Sequence, residues 1–180
     1  MADASEVVVV GGGIGGASLA FALADAGVGV TVLEASTEFA DRVRGESMQA
    51  WGVKEARDVG VEQVLLDAGA HITPVWKQYT EGADDVGDIP MAMMIPDIPG
   101  SLNLRHPDAC QALLDAAADA GATVVRGVRD VVLADGSSPT VTYATNGQVT
   151  ELRTTLVVGA DGRASKCGNK PASPWTVRSR

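Results

Sequence analysis

Cysteine and basic residues are scarce in this 180-residue chain, and each scarcity excludes a class of protein. The two cysteines, Cys110 and Cys167, have neither the spacing of a zinc site nor the number needed for a disulfide framework. A reducing, cytoplasmic setting is therefore expected. The 14 basic residues are outnumbered by 23 acidic ones, and the net charge of −9 argues against a nucleic-acid partner. A small anionic ligand is compatible with this charge, because a few local donors are enough to bind it.

Charge is also missing between Val7 and Ala24, so the hydropathy of this stretch resembles that of a signal peptide or a membrane span. Asp3 and Glu6 precede it, where a signal peptide would carry Lys or Arg. The five glycines within it would also make a poor spanning helix. The stretch is better interpreted as a buried strand followed by a helix, and no membrane partner is expected.

Glycine, by contrast, is abundant, and its densest cluster lies inside a predicted β-α-β unit. Glu6–Val10 ends in four valines and predicts a fully buried strand of a parallel sheet. Ala17–Ala26 is small and apolar and predicts a helix, and Val28–Leu33 predicts a second strand. The glycine turn lies between the first strand and the helix.

In this turn Gly11, Gly13 and Gly16 fit the pattern G-x-G-x-x-G. The first glycine allows the turn, the second lets a pyrophosphate approach the backbone, and the third lets helix and strand pack closely. The backbone N–H groups, including those of Ile14 and Gly15, would face the anion at the positive end of the helix dipole. The pattern in this context predicts dinucleotide binding, and a purely structural turn is the alternative.

Glu34 closes the second predicted strand, where an acidic residue would accept hydrogen bonds from both ribose hydroxyls of an adenosine. A carboxylate at this position repels a 2′-phosphate, so FAD or NAD is expected here and NADP is not. The alternative is a solvated carboxylate at a strand end. The β-α-β unit by itself does not separate FAD from NAD.

The rest of the chain predicts a mixed α/β architecture. Trp51, Trp76 and a methionine cluster are expected to pack in the core. His71 and His106 have no partners that would make them general bases, and no residue is assigned a catalytic role. The remaining predicted elements are a helix over 61–68, short strands and loops over 71–101, a helix beginning near Pro107, a strand over 123–126, an antiparallel meander over 128–152 with turns at Asp135-Gly136 and Asn146-Gly147, and a last buried strand over 155–158.

Four segments occur in the order seen in class A flavoprotein monooxygenases of the hydroxybenzoate hydroxylase type, and between Val7 and Lys166 the chain resembles these enzymes. The segments are the glycine motif with Glu34, Arg44-Gly45-Glu46, the helix after Arg105, and Gly159-Ala160-Asp161-Gly162-Arg163-Ala164-Ser165. The resemblance implies an α/β fold: a Rossmann-like, three-layer FAD-binding domain with a small β excursion over 71–101. The domain would occupy residues 1–166 and would be truncated relative to the family.

The same resemblance implies the cofactor FAD, with NAD(P)H as co-substrate. Arg44 would contact the ribose or pyrophosphate region of the flavin, Arg105 the pyrophosphate, and Asp161, followed by Gly162, would lie near the flavin pyrophosphate. An ordinary Asp-Gly turn is the alternative for Asp161. In the family, reduced FAD activates O₂ and one oxygen atom enters an aromatic or other organic small molecule.

The residues alone are compatible with two other functions. One is a truncated FAD-binding remnant without turnover, and the other is a different flavin enzyme on this scaffold, such as a reductase or a halogenase. Resemblance to the family ends after Lys166, so 167–180 is expected to be an irregular tail produced by a shift of reading frame, with a divergent C-terminus as the alternative. The sequence does not indicate an oligomeric state.

Overall fold

The computed structural model describes residues 5–41, 46–82, 87–134, 139–163, 165 and 167. It divides into two compact units, one formed by the chain up to Glu38 together with the chain from Ala117, and the other by Phe39–Ala116. The predicted tail over 167–180 lies outside the described residues except for Cys167, and the predicted turn at Asp135-Gly136 also lies outside them.

The described residues form four α-helices, one 3-10 turn and twelve strands. The helices are α1 Ile14–Asp25, α2 Ala50–Val59, α3 Glu62–Asp67 and α4 His106–Asp119, and the 3-10 turn is Met91–Met93. The strands are β1 Val7–Val10, β2 Val30–Glu34, β3 Ser47–Met48, β4 His71–Thr73, β5 Val75–Lys77, β6 Asp88–Pro90, β7 Ser101–Asn103, β8 Thr123–Arg126, β9 Arg129–Ala134, β10 Thr140–Thr145, β11 Gln148–Arg153 and β12 Leu156–Gly159.

The first unit is built on a four-stranded parallel sheet with the order β12-β1-β2-β8. Its two inner strands, β1 and β2, are buried along their whole length, as expected for strands covered on both faces. The predicted β-α-β unit is therefore confirmed, with α1 beginning three residues earlier than the small apolar run that predicted it.

Helix α1 packs against β1 and β2 through small side chains, and Ala17, Ala20 and Ala24 are buried. Small residues on this face allow the helix axis to come close to the sheet. Gly27 follows the end of the helix by two residues, has a φ of +80° and donates its N–H to the carbonyl of Ala24. A left-handed glycine after the last turn is the expected helix end, as predicted from the sequence.

The antiparallel meander β9-β10-β11 covers the other face of the parallel sheet. The residues shared by this interface are Val8, Val10, Leu33, Val128, Val141, Tyr143 and Leu152. Because successive side chains of a strand face opposite sides, Val9 and Val32 face the side where α1 packs. Helix, parallel sheet and meander thus make the predicted three layers, and the fold class is confirmed.

The second unit contains a three-stranded antiparallel sheet, β3-β7-β4, a two-stranded pair, β5-β6, and the helices α2 and α3. Helix α2 was missed by the sequence analysis, although Ala50, Val53 and Ala56 repeat at helical spacing and are buried. Gly60 ends it with a φ of +88°. The predicted helix near residue 61 is α3, which begins one residue later.

The expectation that both tryptophans pack in the core is wrong. Trp51 is 56% exposed, because it follows Ala50 on α2 and so lies outside the face that Ala50, Val53 and Ala56 bury. Trp76 is 45% exposed on the short strand β5. Of the methionine cluster, Met91 is buried and Met93 is exposed.

Candidate functional site

The carboxyl ends of the four parallel strands share one edge of the sheet in the first unit. Gly11 follows β1, Glu34 ends β2, Arg126 ends β8 and Ala160 follows β12. In sheets of this kind, ligands bind in the crevice outside the carboxyl ends of the strands. This edge is therefore where a ligand of the unit is expected.

Two of the motif glycines are required by the backbone itself. Gly11 has a φ of +106°, and a Cβ there would lie 2.3 Å from the carbonyl oxygen of Ala160. A Cβ on Gly16 would lie 2.0 Å from the carbonyl oxygen of Gly11. A side chain at either position would overlap main-chain atoms, so the roles predicted for the first and third glycines are those that the geometry imposes.

Gly13 and Gly15 have the opposite surroundings, since a Cβ on either would meet no described atom within 4 Å. Gly13 is the residue before α1, and no side chain caps the N–H groups of the first turn there. Such N–H groups have no partner within the helix and carry the positive end of its dipole. Open space at the Cβ positions of Gly13 and Gly15, beside the uncapped start of α1, leaves room for a pyrophosphate such as that of FAD.

Glu34 is only 8% exposed, and its carboxylate is held by two main-chain donors. Oε2 accepts the N–H of Gly12 at 2.6 Å, and Oε1 accepts the N–H of Ser36 at 2.7 Å. An ionised carboxylate has about four acceptor positions, so each oxygen can take a further hydrogen bond. The arrangement fits the two hydroxyls of a ribose and contradicts the alternative of a solvated strand-end carboxylate.

Asp161 and Gly162 lie beside the glycine turn. The N–H of Ala160 donates to the carbonyl of Val10 at 2.7 Å, and the Ala160–Asp161 peptide packs directly against Gly11. Asp161 Oδ2 accepts the N–H of Cys167 at 3.2 Å, and Gly162 has a φ of +82°. Asp161 therefore takes part in a local turn while its main chain borders the predicted pyrophosphate position.

Of the two predicted arginines, the structure describes Arg105. Arg105 belongs to the second unit, where its Nη2 donates to Asp41 at 3.0 Å and its Nε lies 3.7 Å from Asp108. More than half of the Arg105 side chain is exposed. Arg44 lies outside the described residues. The structure thus brings together the glycine turn, Glu34, Asp161 and Gly162, all of which belong to the first unit.

Sequence reasoning missed the partners that fix Glu34. Gly12 is the middle residue of three consecutive glycines, and Ser36 follows the strand end by two positions. The motif does not indicate that either residue contacts Glu34, because every residue except proline has a main-chain N–H and the residue type does not show which N–H donates. Arg126 was detectable in principle, since a basic residue ends a predicted strand at the same sheet edge.

The described part of the chain contains neither a metal-binding cluster nor a membrane-spanning helix. Among the described residues, no group of three or more His, Cys, Asp or Glu side chains could hold a metal ion. No helix formed by the described residues is long and apolar enough to cross a membrane.

Comparison with known proteins identifies the family. The model of the family described as "FAD binding domain" matches residues 4–174. Squalene epoxidase 4 of Arabidopsis thaliana is 32% identical over 162 residues, which cover 88% of this chain and 31% of that protein.

Solved structures agree with the fold. Aklavinone-11 hydroxylase, in a ternary complex with FAD and aklavinone, superposes with a TM-score of 0.71 at 25% identity over 92% of this chain and 34% of its own. The p-nitrophenol 4-monooxygenase PnpA of Pseudomonas putida has a TM-score of 0.82 over 94% of this chain and 44% of its own, and at 20% identity it shows the fold alone.

The chain spans less than half the length of each of these proteins. The family match covers nearly all of it, and the glycine turn, the uncapped start of α1 and the buried Glu34 fit the ADP half of the cofactor. The chain therefore belongs to the FAD-binding domain family of flavoproteins, and a squalene epoxidase is among its sequence relatives.

Proposed function

We propose that this chain is the cofactor-binding part of an FAD-dependent oxidoreductase of the monooxygenase type, using NAD(P)H as the source of electrons. The observation that carries the proposal is the pairing of the open glycine cradle with the buried carboxylate of Glu34 in a chain matched by the FAD-binding family. Relatives named as an epoxidase and a hydroxylase support the reaction class.

In this proposal the N–H groups at the start of α1 bind the pyrophosphate. Their partial positive charge offsets the phosphate charge without any lysine, which suits a chain with an acidic balance. Gly13 leaves room for the phosphate oxygens, and Ile14, Gly15 and Gly16 supply further main-chain N–H groups. Glu34 accepts the ribose hydroxyls and so fixes the adenosine end.

Asp161 and Gly162 would border the pyrophosphate from the loop after β12. Arg105 and Arg44 are proposed as phosphate or ribose contacts on the family resemblance, because a guanidinium presents a donor fork to phosphate oxygens. The bound flavin would supply the electron-transfer and oxygen chemistry, while the protein binds and orients it.

The substrate is proposed to be an aromatic or other organic small molecule. The epoxidase of Arabidopsis thaliana is named for squalene, and the hydroxylase structure contains aklavinone. Both names point to oxygen insertion into a carbon framework. A flavin-binding remnant without turnover is the second candidate, because the glycine turn and Glu34 account for binding of the ADP half of FAD and not for oxygen chemistry.

One experiment separates these candidates. The chain is purified with added FAD, mixed anaerobically with NADH or NADPH, and followed by flavin absorbance; oxygen and candidate substrates are added afterwards. Bleaching followed by reoxidation with an oxygenated product supports the monooxygenase. Bound FAD that is reduced by neither NADH nor NADPH supports the remnant. The Gly13→Val variant is the matched control and should take up no FAD. If the parent chain also takes up no FAD, both candidates are contradicted.

A further inference from the structure

The short segment Glu34–Ser36, which runs from the last residue of β2 into the loop after it, is held in place by the last residue of β8 and the residues that follow it. In the parallel pairing of β2 with β8, Glu34 lies opposite Arg126. All three carbonyls of this segment receive a donor from that side. The N–H of Val128 donates to the carbonyl of Glu34 at 3.1 Å, Arg129 Nη1 donates to the carbonyl of Ala35, and Arg126 Nε donates to the carbonyl of Ser36 at 3.2 Å.

Ser36 connects this arrangement to the ligand site. Its carbonyl accepts from Arg126, while its N–H donates to Glu34 Oε1 at 2.7 Å. The Ser36 N–H lies in the planar peptide that carries the Ala35 carbonyl, and the Ser36 carbonyl lies in the next peptide. Arg129 and Arg126 therefore hold the two peptides on either side of the Ser36 Cα. Together they orient the donor that holds Oε1, while Gly12 holds Oε2 from the glycine turn.

Glu34 and Arg126 are shielded from water, which strengthens the hydrogen bonds that link them through Ser36. Glu34 is almost fully buried and Arg126 is partly buried, so water competes only weakly for either. Arg129 bonds the carbonyl of Ala35, which shares a planar peptide with the Ser36 N–H, but it is exposed and water competes for its contact. Arg126 is therefore the arginine whose loss should weaken the hold on Glu34 more.

We propose that Arg126 is a positioning residue for recognition of the adenosine ribose, acting through Ser36 on the carboxylate of Glu34. The inference rests on the proposed function, since it assumes that Glu34 takes the ribose hydroxyls of FAD. Its specific consequence is that Arg126 governs the affinity that depends on those hydroxyls and leaves the pyrophosphate contacts of α1 unchanged.

The test compares binding of ADP and 2′-deoxy-ADP, each measured by displacement of FAD from the 180-residue chain. The chain itself should prefer ADP about tenfold, the scale of one hydrogen bond to a charged group. Arg126→Gln should lose most of this preference, because ADP binding weakens more than binding of 2′-deoxy-ADP, which keeps only the 3′-hydroxyl. Arg153→Gln, at an exposed arginine on β11, is the matched control and should keep the preference.

A thermodynamic cycle gives the second readout. In a Glu34→Ala background, Arg126→Gln should have no further effect on ADP binding, because two residues that act through one contact are not additive. Equal weakening of both nucleotides, or an unchanged preference, would overturn the inference. Failure of Arg126→Gln to fold, checked by circular dichroism, would also overturn it by giving Arg126 a purely structural role. A parent chain that binds neither FAD nor ADP contradicts the proposed function itself.

Discussion

The carboxylate of Glu34 lies 2.6 Å from the main-chain nitrogen of Gly12, which is 22 positions earlier in the chain. This hydrogen bond joins the end of β2 to the glycine turn after β1. It sets the separation between a group suited to a ribose and a helix end suited to a pyrophosphate. The adenosine and phosphate parts of the proposed site are therefore fixed to each other before any ligand binds.

Replacing Glu34 by Gln should weaken FAD binding by about 1–3 kcal/mol and also destabilise the chain without ligand. Both carboxylate oxygens accept a main-chain N–H, and an amide can offer an oxygen to only one of them. The other N–H would face an NH₂ group. FAD affinity is measured by flavin fluorescence and stability by urea unfolding.

Glu151→Gln is the control for this change, because Glu151 is an exposed carboxylate on β11 of the same unit. It should alter neither quantity by more than about 0.5 kcal/mol. If Glu34→Gln matched this control in FAD affinity, the assignment of Glu34 to the ribose would be wrong.

Gly15→Ala and Gly16→Ala should have opposite effects on stability although they are neighbours in α1. A Cβ on Gly15 enters open space, so alanine should raise the free energy of unfolding by about 0.5–1 kcal/mol through its higher helix propensity. A Cβ on Gly16 would overlap the carbonyl of Gly11, and the resulting backbone shift should cost about 1–3 kcal/mol. Urea unfolding of both variants checks the sign of each change, and equal stabilities would contradict the packing described for Gly16.

The ion pair of Arg57 with Glu62 should make part of the stability depend on pH. Arg57 Nε and Nη2 donate to the two Glu62 oxygens at 2.6 and 2.9 Å, and this hydrogen bonding lowers the pKa of the Glu62 carboxyl below its usual value. A lowered carboxyl pKa stabilises the folded state above the unfolded pKa, and the contribution is lost as pH falls through the folded pKa. The expected window opens near the ordinary glutamate pKa of about 4.3 and extends to lower pH.

Glu62→Gln should accordingly lose about 0.5–1 kcal/mol at neutral pH, a modest value because the Arg57 side chain is 41% exposed. Its stability should converge with that of the parent chain near the acid end of the window. Urea unfolding at several pH values measures this, with the exposed Glu55→Gln on α2 as control. A constant difference between parent and Glu62→Gln across the window would show that the charge of Glu62 is not responsible.

The sequence could predict the first unit well because its signals are local. Four consecutive valines at β1 and a run of β-formers at β2 fit only buried strands, and the glycines between β1 and α1 are fixed by close approach of main chain to main chain. The turn at Asn146-Gly147, where both residues have positive φ, is likewise specified by residue type.

The second unit was predicted less well for a physical reason. The buried face of α2 consists of Ala50, Val53 and Ala56, and such small residues give a weak amphipathic signal beside the exposed Trp51. Large apolar side chains are buried more often than not, but individual tryptophans do lie on the surface, as Trp51 does here. In the first unit, the partners of Glu34 were missed because the two main-chain donors depend on how the glycine turn and the chain after β2 fold around the carboxylate.

The most direct test of the account is a calorimetric titration of FAD into the purified chain and into its Gly13→Val variant. Gly13 has an ordinary extended backbone and open space at its Cβ, so valine should leave the unfolding free energy within about 1 kcal/mol of the parent while its side chain occupies the pyrophosphate position. The account predicts one FAD bound per parent chain and binding at least about tenfold weaker in the variant. No binding by the parent chain, or equal binding by a folded Gly13→Val variant, would contradict it.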